Sequence, residues 1–98
     1  GGIKVTEPAA DLAVILAVAS SFRNISLDAH TVVMGEVGLT GEVRMVSRVD
    51  VRISEAATMG FKRFVIPAGN LTGLKIRQQG LKIVGVSNVI EAMEAVFL

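Results

Sequence analysis

A chain of 98 residues, 51% of them hydrophobic, can form one small domain with its own core, and a net charge of +1 excludes a protein that is strongly basic or acidic as a whole. The chain has no cysteine, which excludes disulfides and thiolate metal sites and suits a cytoplasmic protein. No apolar run reaches the roughly 18 residues needed to span a bilayer, so we expect no membrane segment.

The first third of the chain predicts the end of a strand followed by a long apolar helix. Gly2–Val5 has the composition of a strand end, Thr6 can cap a helix, and Pro8 suits a first helical turn. Nearly every residue of Ala9–Phe22 is apolar or small, which is typical of a helix that is buried on several sides. Asn24 is expected to end this helix.

Strands and helices are predicted to alternate along the rest of the chain. The predicted strands are Thr31–Val33, Glu36–Leu39, Glu42–Val46, Lys62–Ile66 and Leu81–Val86, with a turn at Thr40-Gly41. An amphipathic helix is predicted over Arg48–Met59, with Gly60 as its stop, and Ala68–Gly80 has the composition of a loop. The alternation predicts an α/β domain with parallel crossovers and with helices packed on a small mixed sheet.

A last helix is predicted after Ser87-Asn88. Glu91 stands three residues beyond Asn88, the spacing of a capping box, in which the two side chains bond the free N–H groups of the first turn. The apolar residues expected to form its buried stripe are Val89, Ile90, Met93, Val96 and Phe97.

Few residues have the surroundings that catalysis or metal binding requires. The one histidine, His30, has no partner at ligand spacing and is expected to lie on the surface before a strand. No P-loop or dinucleotide fingerprint is present, so we expect no nucleotide, metal or other cofactor to bind within this chain.

The basic residues are the stronger functional signal. We predict phosphate contacts from Arg44, Arg48, Arg52, Lys62 and Arg63. Arg48 and Arg52 are expected to share a helix face, and guanidinium groups bind backbone oxygens without reading sequence. The alternative is an ordinary solvated face on which Arg52 pairs with Glu55, three residues further along.

The run Gly35–Gly60 resembles the catalytic core of Lon-type proteases, whose pattern reads G-E-[IV]-x-L-x-G-x-V-x-P-[IV]-G-G-L-K-x-K-x-x-A-A. That family places its nucleophile in D-G-P-S-A-G at the start of a buried helix, and Pro8 and Ala10 occupy the proline and alanine of that motif. The resemblance puts Ala9 at the serine position and Asp50 at the position of the catalytic lysine. A methyl group cannot attack a carbonyl, so the resemblance implies a degenerate Ser-Lys site with no peptidase activity.

The sequence, in which the serine and the lysine of the protease motif are replaced, is similar along essentially the whole chain to the Lon-like domain of a family of bacterial DNA repair ATPases. This resemblance implies a ribosomal-protein-S5-domain-2-like fold, as in Lon proteases, for a single domain over residues 1–98 that lacks its first strands. It also implies a hexameric RecA-like parent that uses ATP, Mg and Zn in recombination, and a Lon-like domain that binds DNA and scaffolds the ring.

Two functions are therefore expected, and a third is retained as an alternative. The first is a non-catalytic domain that binds the DNA backbone and holds a homo-oligomer together. The second is a purely structural oligomerisation scaffold without direct DNA contact. The third, from another class, is a peptidase with a displaced nucleophile such as Ser47, which the loss of both the serine and its base disfavours.

Overall fold

A computed structural model describes residues 7–97, in which three α-helices pack around a three-stranded parallel sheet and a two-stranded hairpin. The helices are α1 (Asp11–Arg23), α2 (Val49–Thr58) and α3 (Val89–Val96), and 3-10 turns cover Pro8–Ala10 and Ala68–Asn70. The strands are β1 (Thr31–Val33), β2 (Glu36–Val37), β3 (Val43–Arg44), β4 (Arg63–Pro67) and β5 (Lys82–Val86). The strand predicted at Gly2–Val5 and the cap predicted at Thr6 lie outside the described residues.

The parallel sheet has β4 at its centre, between β1 and β5. Val32 pairs with Phe64, and Phe64 pairs with Ile83, in the two parallel ladders. The predicted α/β class and its parallel crossovers are thus confirmed. Instead of joining one mixed sheet, however, β2 and β3 pair with each other in a separate antiparallel hairpin.

The two faces of β4 separate two hydrophobic clusters, because successive side chains of a strand point to opposite sides of a sheet. Phe64 and Ile66 face α2 and pack with Val49 and Ile53. The second cluster, on the side of α1 and α3, contains Leu12, Leu16, Val65, Val86, Ala92 and Val96. Strand β4, the central strand, contributes buried residues to both clusters, which fits its almost complete burial.

The predicted helix ends agree with the structure. Asn24, at the end of α1, has a φ of 53°, and Gly60, just after α2, has a φ of 101°, so both stop a helix in the left-handed region. At α3, Asn88 accepts a hydrogen bond from the N–H of Glu91 (2.9 Å), whose carboxylate accepts one from the N–H of Ser87 (2.7 Å). The capping box predicted from the spacing is confirmed, with the returning bond moved to Ser87.

Helix α1 is less buried than its apolar sequence predicts. Only Leu12 and Leu16 are buried within it, whereas Val14, Val18 and Phe22, spaced four apart, are exposed, Phe22 by 88%. The described elements cover α1 on one side, so a single stripe of its residues reaches the core. The prediction that Ile90 of α3 is buried is also wrong, because this residue is 68% exposed.

Candidate functional site

Ala9, where the resemblance to Lon-type proteases predicts the position of a nucleophile, lies in a tightly held turn. The carbonyl of Ala9 accepts a hydrogen bond from Gly35 (2.9 Å), and the carbonyl of Gly35 accepts one from Leu12 (3.0 Å), so the turn is fixed to the segment after β1. A Cβ at Gly35 would lie 2.8 Å from a methyl group of Val43, which is why glycine is needed at this close approach. Ala9 is 7% exposed, and its methyl group lies where the resemblance predicts a hydroxyl.

Two cavities meet at Ala9. The larger, about 360 Å³, has apolar walls that include Val32, Met34, Ala56 and Met59. The smaller, about 280 Å³, is bordered by Pro8, Glu36, Met45, Val46 and Ser47. Glu7, Ala9 and Arg52 contribute to the walls of both cavities.

Arg52 connects the elements around these cavities. Its Nη2 lies 2.8 Å from Oε1 of Glu7, and its Nε donates to the carbonyl of Ser47 at 2.9 Å. The same guanidinium therefore ties α2 to the turn before α1 and to the loop before α2. The predicted pairing of Arg52 with Glu55 is wrong, because the carboxylate of Glu7 takes that place.

The side chain that faces Ala9 from α2 is Arg52 and not Asp50. Asp50 borders neither cavity, and its carboxylate accepts a hydrogen bond from the N–H of Lys75 (3.3 Å). Residues two apart on a helix point in nearly opposite directions, so only one of the two lysines in the Lon pattern can face the nucleophile. The second of those lysines falls at Arg52, and Arg52, not Asp50, borders the cavities at Ala9.

The other candidates for chemistry have no activating partner. Ser47 borders the smaller cavity, but the nitrogen next to it belongs to the Arg52 guanidinium, which is always protonated and cannot act as a base. His30 is exposed, as predicted, and its backbone N–H donates to the carboxylate of Asp28 (2.9 Å).

Arg48 and Arg52 border one shallow depression of about 170 Å³, together with Val51 and Glu55. They share a surface, as predicted, but not because both lie in the helix. Arg48 precedes α2 and has a φ of 57°, a left-handed conformation in which its side chain is exposed. Arg48 makes no ion pair within residues 7–97, so its guanidinium is available to a ligand.

Arg44 and Arg63 are held by carboxylates elsewhere. Arg44 lies 3.0 Å from Glu42 and 4.0 Å from Glu36. Arg63 lies 3.4 Å from Asp28 and donates to the carbonyl of Ala95 at 2.7 Å. Lys62 is exposed and has no ion pair in the described part of the chain. Three of the five predicted phosphate ligands thus already serve intramolecular contacts, and the structure does not bring all five to one surface.

The pKa of Asp28 is lowered because its carboxylate accepts hydrogen bonds from the backbone N–H of His30 and from the hydroxyl of Thr31, with a further contribution from Arg63. The same contacts that lower the pKa of Asp28 favour its ionised form, which is the form that pairs with Arg63.

Glu7 is the residue of this site that sequence reasoning missed. It is 45 residues from Arg52 in the chain. An acidic residue before a helix already has a local explanation, because the partial positive charge of the helix N-terminus stabilises a carboxylate. No local signal could have revealed its long-range pairing.

Two further observations concern the chain between residues 7 and 97. Within that range, no helix is long and apolar enough to cross a bilayer. Nor does that range contain a group of three or more acidic or histidine side chains arranged to hold a metal ion.

Comparison with known proteins gives one family and a consistent set of relatives. Residues 2–70 match the sequence profile of a family described as subunit ChlI of Mg-chelatase. A protein of Bacillus subtilis (strain 168) named DNA repair protein RadA is 52% identical over 93 residues, which are 95% of this chain and 20% of that protein. Its namesake in Halalkalibacterium halodurans is also 52% identical, over 96% of this chain and 20% of its own length.

A more distant relative carries the same name. The DNA repair protein RadA of Streptococcus pneumoniae is 41% identical over 99% of this chain and 23% of its own length. The chain thus spans about a fifth of the length of the curated relatives that it matches.

Proposed function

Because the chain belongs to the family described as subunit ChlI of Mg-chelatase and its relatives named above are DNA repair proteins, we propose that it is a non-catalytic domain of a DNA repair ATPase. In this proposal the domain binds the phosphate backbone of DNA and helps to scaffold a homo-oligomer, a hexamer in the parent, in the cytoplasm. The identity to RadA proteins over nearly the whole chain is the observation that carries the proposal.

The description of the family and the name of the relatives refer to different processes, and we choose between these processes by the relatives. The family description names a subunit of Mg-chelatase and covers residues 2–70, whereas the RadA relatives align over almost all residues at up to 52% identity. DNA repair is therefore the process that we propose for the longer protein. ATP, Mg and Zn are expected of that longer protein, and we propose no cofactor for this chain.

A Lon-like fold without peptidase activity is part of this proposal. It is supported by the buried turn at Ala9, by the apolar cavity beside it and by the guanidinium that faces it. A Ser-Lys mechanism needs a hydroxyl as nucleophile and an amine that can accept its proton. Ala9 supplies no hydroxyl, and Arg52 supplies a guanidinium in place of the amine that would accept a proton.

The absence of peptidase chemistry can be tested with a fluorophosphonate probe that labels activated serines. We expect no labelling of the wild type and none of Ala9→Ser, since the added hydroxyl would still lack a base. Labelling of the wild type that Ser47→Ala abolishes would instead establish the displaced nucleophile and overturn the non-catalytic proposal.

For DNA binding, we keep Arg44, Arg48, Arg52, Lys62 and Arg63 as proposed contacts, with unequal roles. Arg48 and Lys62 are exposed and unpaired among residues 7–97, so they can approach a phosphate directly. A phosphate would have to compete with a carboxylate for each of the other three, because their guanidinium groups are already engaged in ion pairs.

The test of DNA binding is the affinity for a fluorescent duplex across a salt series. Log affinity falls linearly with log salt concentration, and each lost phosphate contact makes this slope less steep by about 1. We expect Arg48→Glu to flatten the slope and Arg23→Glu to leave it unchanged, since Arg23 is an exposed cation at the far end of α1. The DNA proposal is wrong if the wild type fails to bind the duplex at low salt.

The alternative is a structural scaffold that makes no DNA contact. It is supported by the ion pairs of Arg44, Arg52 and Arg63, because arginines that bind carboxylates within the domain stabilise its fold and need no external partner. Sedimentation of the samples used for DNA binding separates the two functions. A chain that forms oligomers but binds no duplex at any salt concentration would favour the scaffold.

A further inference from the structure

The methionines of this chain differ in their access to solvent. The chain has four methionines and no cysteine, so the thioethers are the side chains that a mild oxidant converts most readily. Met45 and Met59 are exposed, by 61% and 76%, whereas Met34 is buried and Met93 packs against the second hydrophobic cluster. An oxidant in solution therefore reaches Met45 and Met59 before it reaches the other two.

Met45 is exposed and also makes a close contact with the 3-10 turn that follows β4. A Cβ built at Gly69 would lie 2.7 Å from Cγ and 3.1 Å from Sδ of Met45, so the methionine occupies the space that another side chain at position 69 would fill. Glycine permits this approach because it has no Cβ. Met45 thus lies against the turn with one side of its side chain and faces solvent with the other.

The next residue of each segment makes a polar contact beside this one. Asn70 accepts a hydrogen bond from the N–H of Val46 (2.9 Å) and donates one to the carbonyl of Val46 (3.0 Å), and both residues are buried. Two adjacent residues, Met45 and Val46, therefore meet two adjacent residues, Gly69 and Asn70. The thioether lies next to the pair of hydrogen bonds that attach the segment between β3 and α2 to the rest of the domain.

The attached segment forms one side of the smaller cavity at Ala9. Met45, Val46 and Ser47 border that cavity, which has a volume of about 280 Å³. The carbonyl of Ser47 accepts the hydrogen bond from Arg52, and α2 begins two residues later. The attachment of the segment to the turn after β4 therefore fixes both a wall of the cavity and the entrance to α2.

We propose that Met45 is an oxidation site, and that its conversion to the sulfoxide by a peroxide weakens the attachment of the segment between β3 and α2. The lone pair of the sulfur forms an S–O bond with one peroxide oxygen as the O–O bond breaks. The leaving hydroxide takes up the proton of the transferred oxygen and becomes water, so the sulfur is oxidised and the peroxide is reduced. The proposal does not depend on the proposed DNA-binding function.

The physical effect follows from the polarity of the product. A thioether packs against Gly69 at no cost in hydration, whereas a sulfoxide is polar and loses free energy when it is held away from water. The oxidised side chain of Met45 therefore turns towards solvent and leaves Gly69 uncovered. Water then reaches the hydrogen bonds between Val46 and Asn70 and competes with them.

Met59 provides the matched comparison. It follows the last residue of α2 and is the more exposed of the two methionines. Its sulfoxide can be hydrated without movement of the backbone. Oxidation of Met59 is therefore expected to occur together with that of Met45 and to leave the segment between β3 and α2 in place.

The test is amide hydrogen exchange of the 98-residue chain, followed by NMR before and after brief treatment with hydrogen peroxide. The proteins are the wild type, Met45→Leu and Met59→Leu, since leucine has a similar size and no sulfur. Each protein is compared with its own untreated sample, and peptide mass spectrometry locates the added oxygen atoms. We expect Met45 and Met59 to be oxidised before Met34 and Met93.

We expect the N–H of Val46 to exchange severalfold faster after treatment of the wild type and of Met59→Leu, and at an unchanged rate after treatment of Met45→Leu. Reduction of the sulfoxide by methionine sulfoxide reductases should restore slow exchange. Oxidation of Met34 or Met93 ahead of Met45 would overturn the proposed site. Unchanged exchange at Val46 in the oxidised wild type, or faster exchange in treated Met45→Leu, would overturn the proposed effect.

Discussion

At the scale of single residues, the most informative position is Arg52. The sequence indicates a cation on a helix face, but the structure uses it to join Glu7 and the carbonyl of Ser47 around Ala9. A guanidinium can do this because its donors are fixed in one plane and remain charged. Where a Lon-type protease pattern places a lysine, this chain has a group suited to holding elements together and unable to accept a proton.

Glu42 gives a pH-dependent prediction. Its carboxylate accepts hydrogen bonds from the hydroxyl and N–H of Thr40 and from Arg44, and the Thr40 hydroxyl is the first of the causes that lower its pKa to about 2. Because the folded state favours the ionised form, Glu42 stabilises the protein above its ordinary pKa of 4.5 and loses this effect as the pH falls towards about 2.

We therefore expect Glu42→Gln to be less stable than the wild type at pH 7 and to approach it between pH 4.5 and about 2. Urea denaturation at several pH values measures this. Glu55→Gln is the control, since the carboxylate of Glu55 has no hydrogen bond or ion pair within residues 7–97, and it should follow the wild type throughout. A pH-independent difference for Glu42→Gln would contradict the prediction.

At the scale of elements, the hairpin and the helices are joined by a few polar contacts that have no sequence signature. Asn70, 6% exposed, accepts a hydrogen bond from the N–H of Val46 (2.9 Å) and donates one to its carbonyl (3.0 Å). These two bonds attach the segment between β3 and α2 to the turn after β4. The sequence predicts a loop at Asn70, and only the fold gives it this partner.

Asn70→Ala is expected to lower the free energy of unfolding by about 2–3 kcal/mol, because it leaves the N–H and carbonyl of Val46 buried without partners. Gln78→Ala is the matched control. Its side chain makes one long, partly buried contact of 3.4 Å to Ser54, and its loss should cost no more than about 0.5 kcal/mol. Equal effects of the two substitutions in urea denaturation would show that the Asn70 bonds are not structurally important.

At the scale of the whole molecule, stability depends on the two hydrophobic clusters on either side of β4. Phe64 is fully buried in one of them, whereas Phe22 is 88% exposed at the end of α1. The two phenylalanines have identical side chains, and both precede or follow basic residues in the sequence. Composition cannot distinguish them.

The substitution of each by alanine tests this division. Phe64→Ala should cost about 3–5 kcal/mol through lost burial and a residual cavity, while Phe22→Ala should stay within about 0.5 kcal/mol of the wild type. Denaturant midpoints measure both. A large loss for Phe22→Ala would mean that α1 is covered in solution by a surface that the described residues do not provide.

The sequence by itself determined the α/β class, the parallel crossovers and the helix ends, because hydrophobic periodicity, left-handed stop residues and the α3 capping box act over a few residues. The resemblance of its motifs to those of Lon-type proteases also predicts a nucleophile position at Ala9, and this stays a prediction. The tertiary structure alone decided that Arg52 and not Asp50 faces Ala9, and that Glu7 holds Arg52. These facts depend on packing and on contacts between residues distant in the chain, which no local pattern specifies.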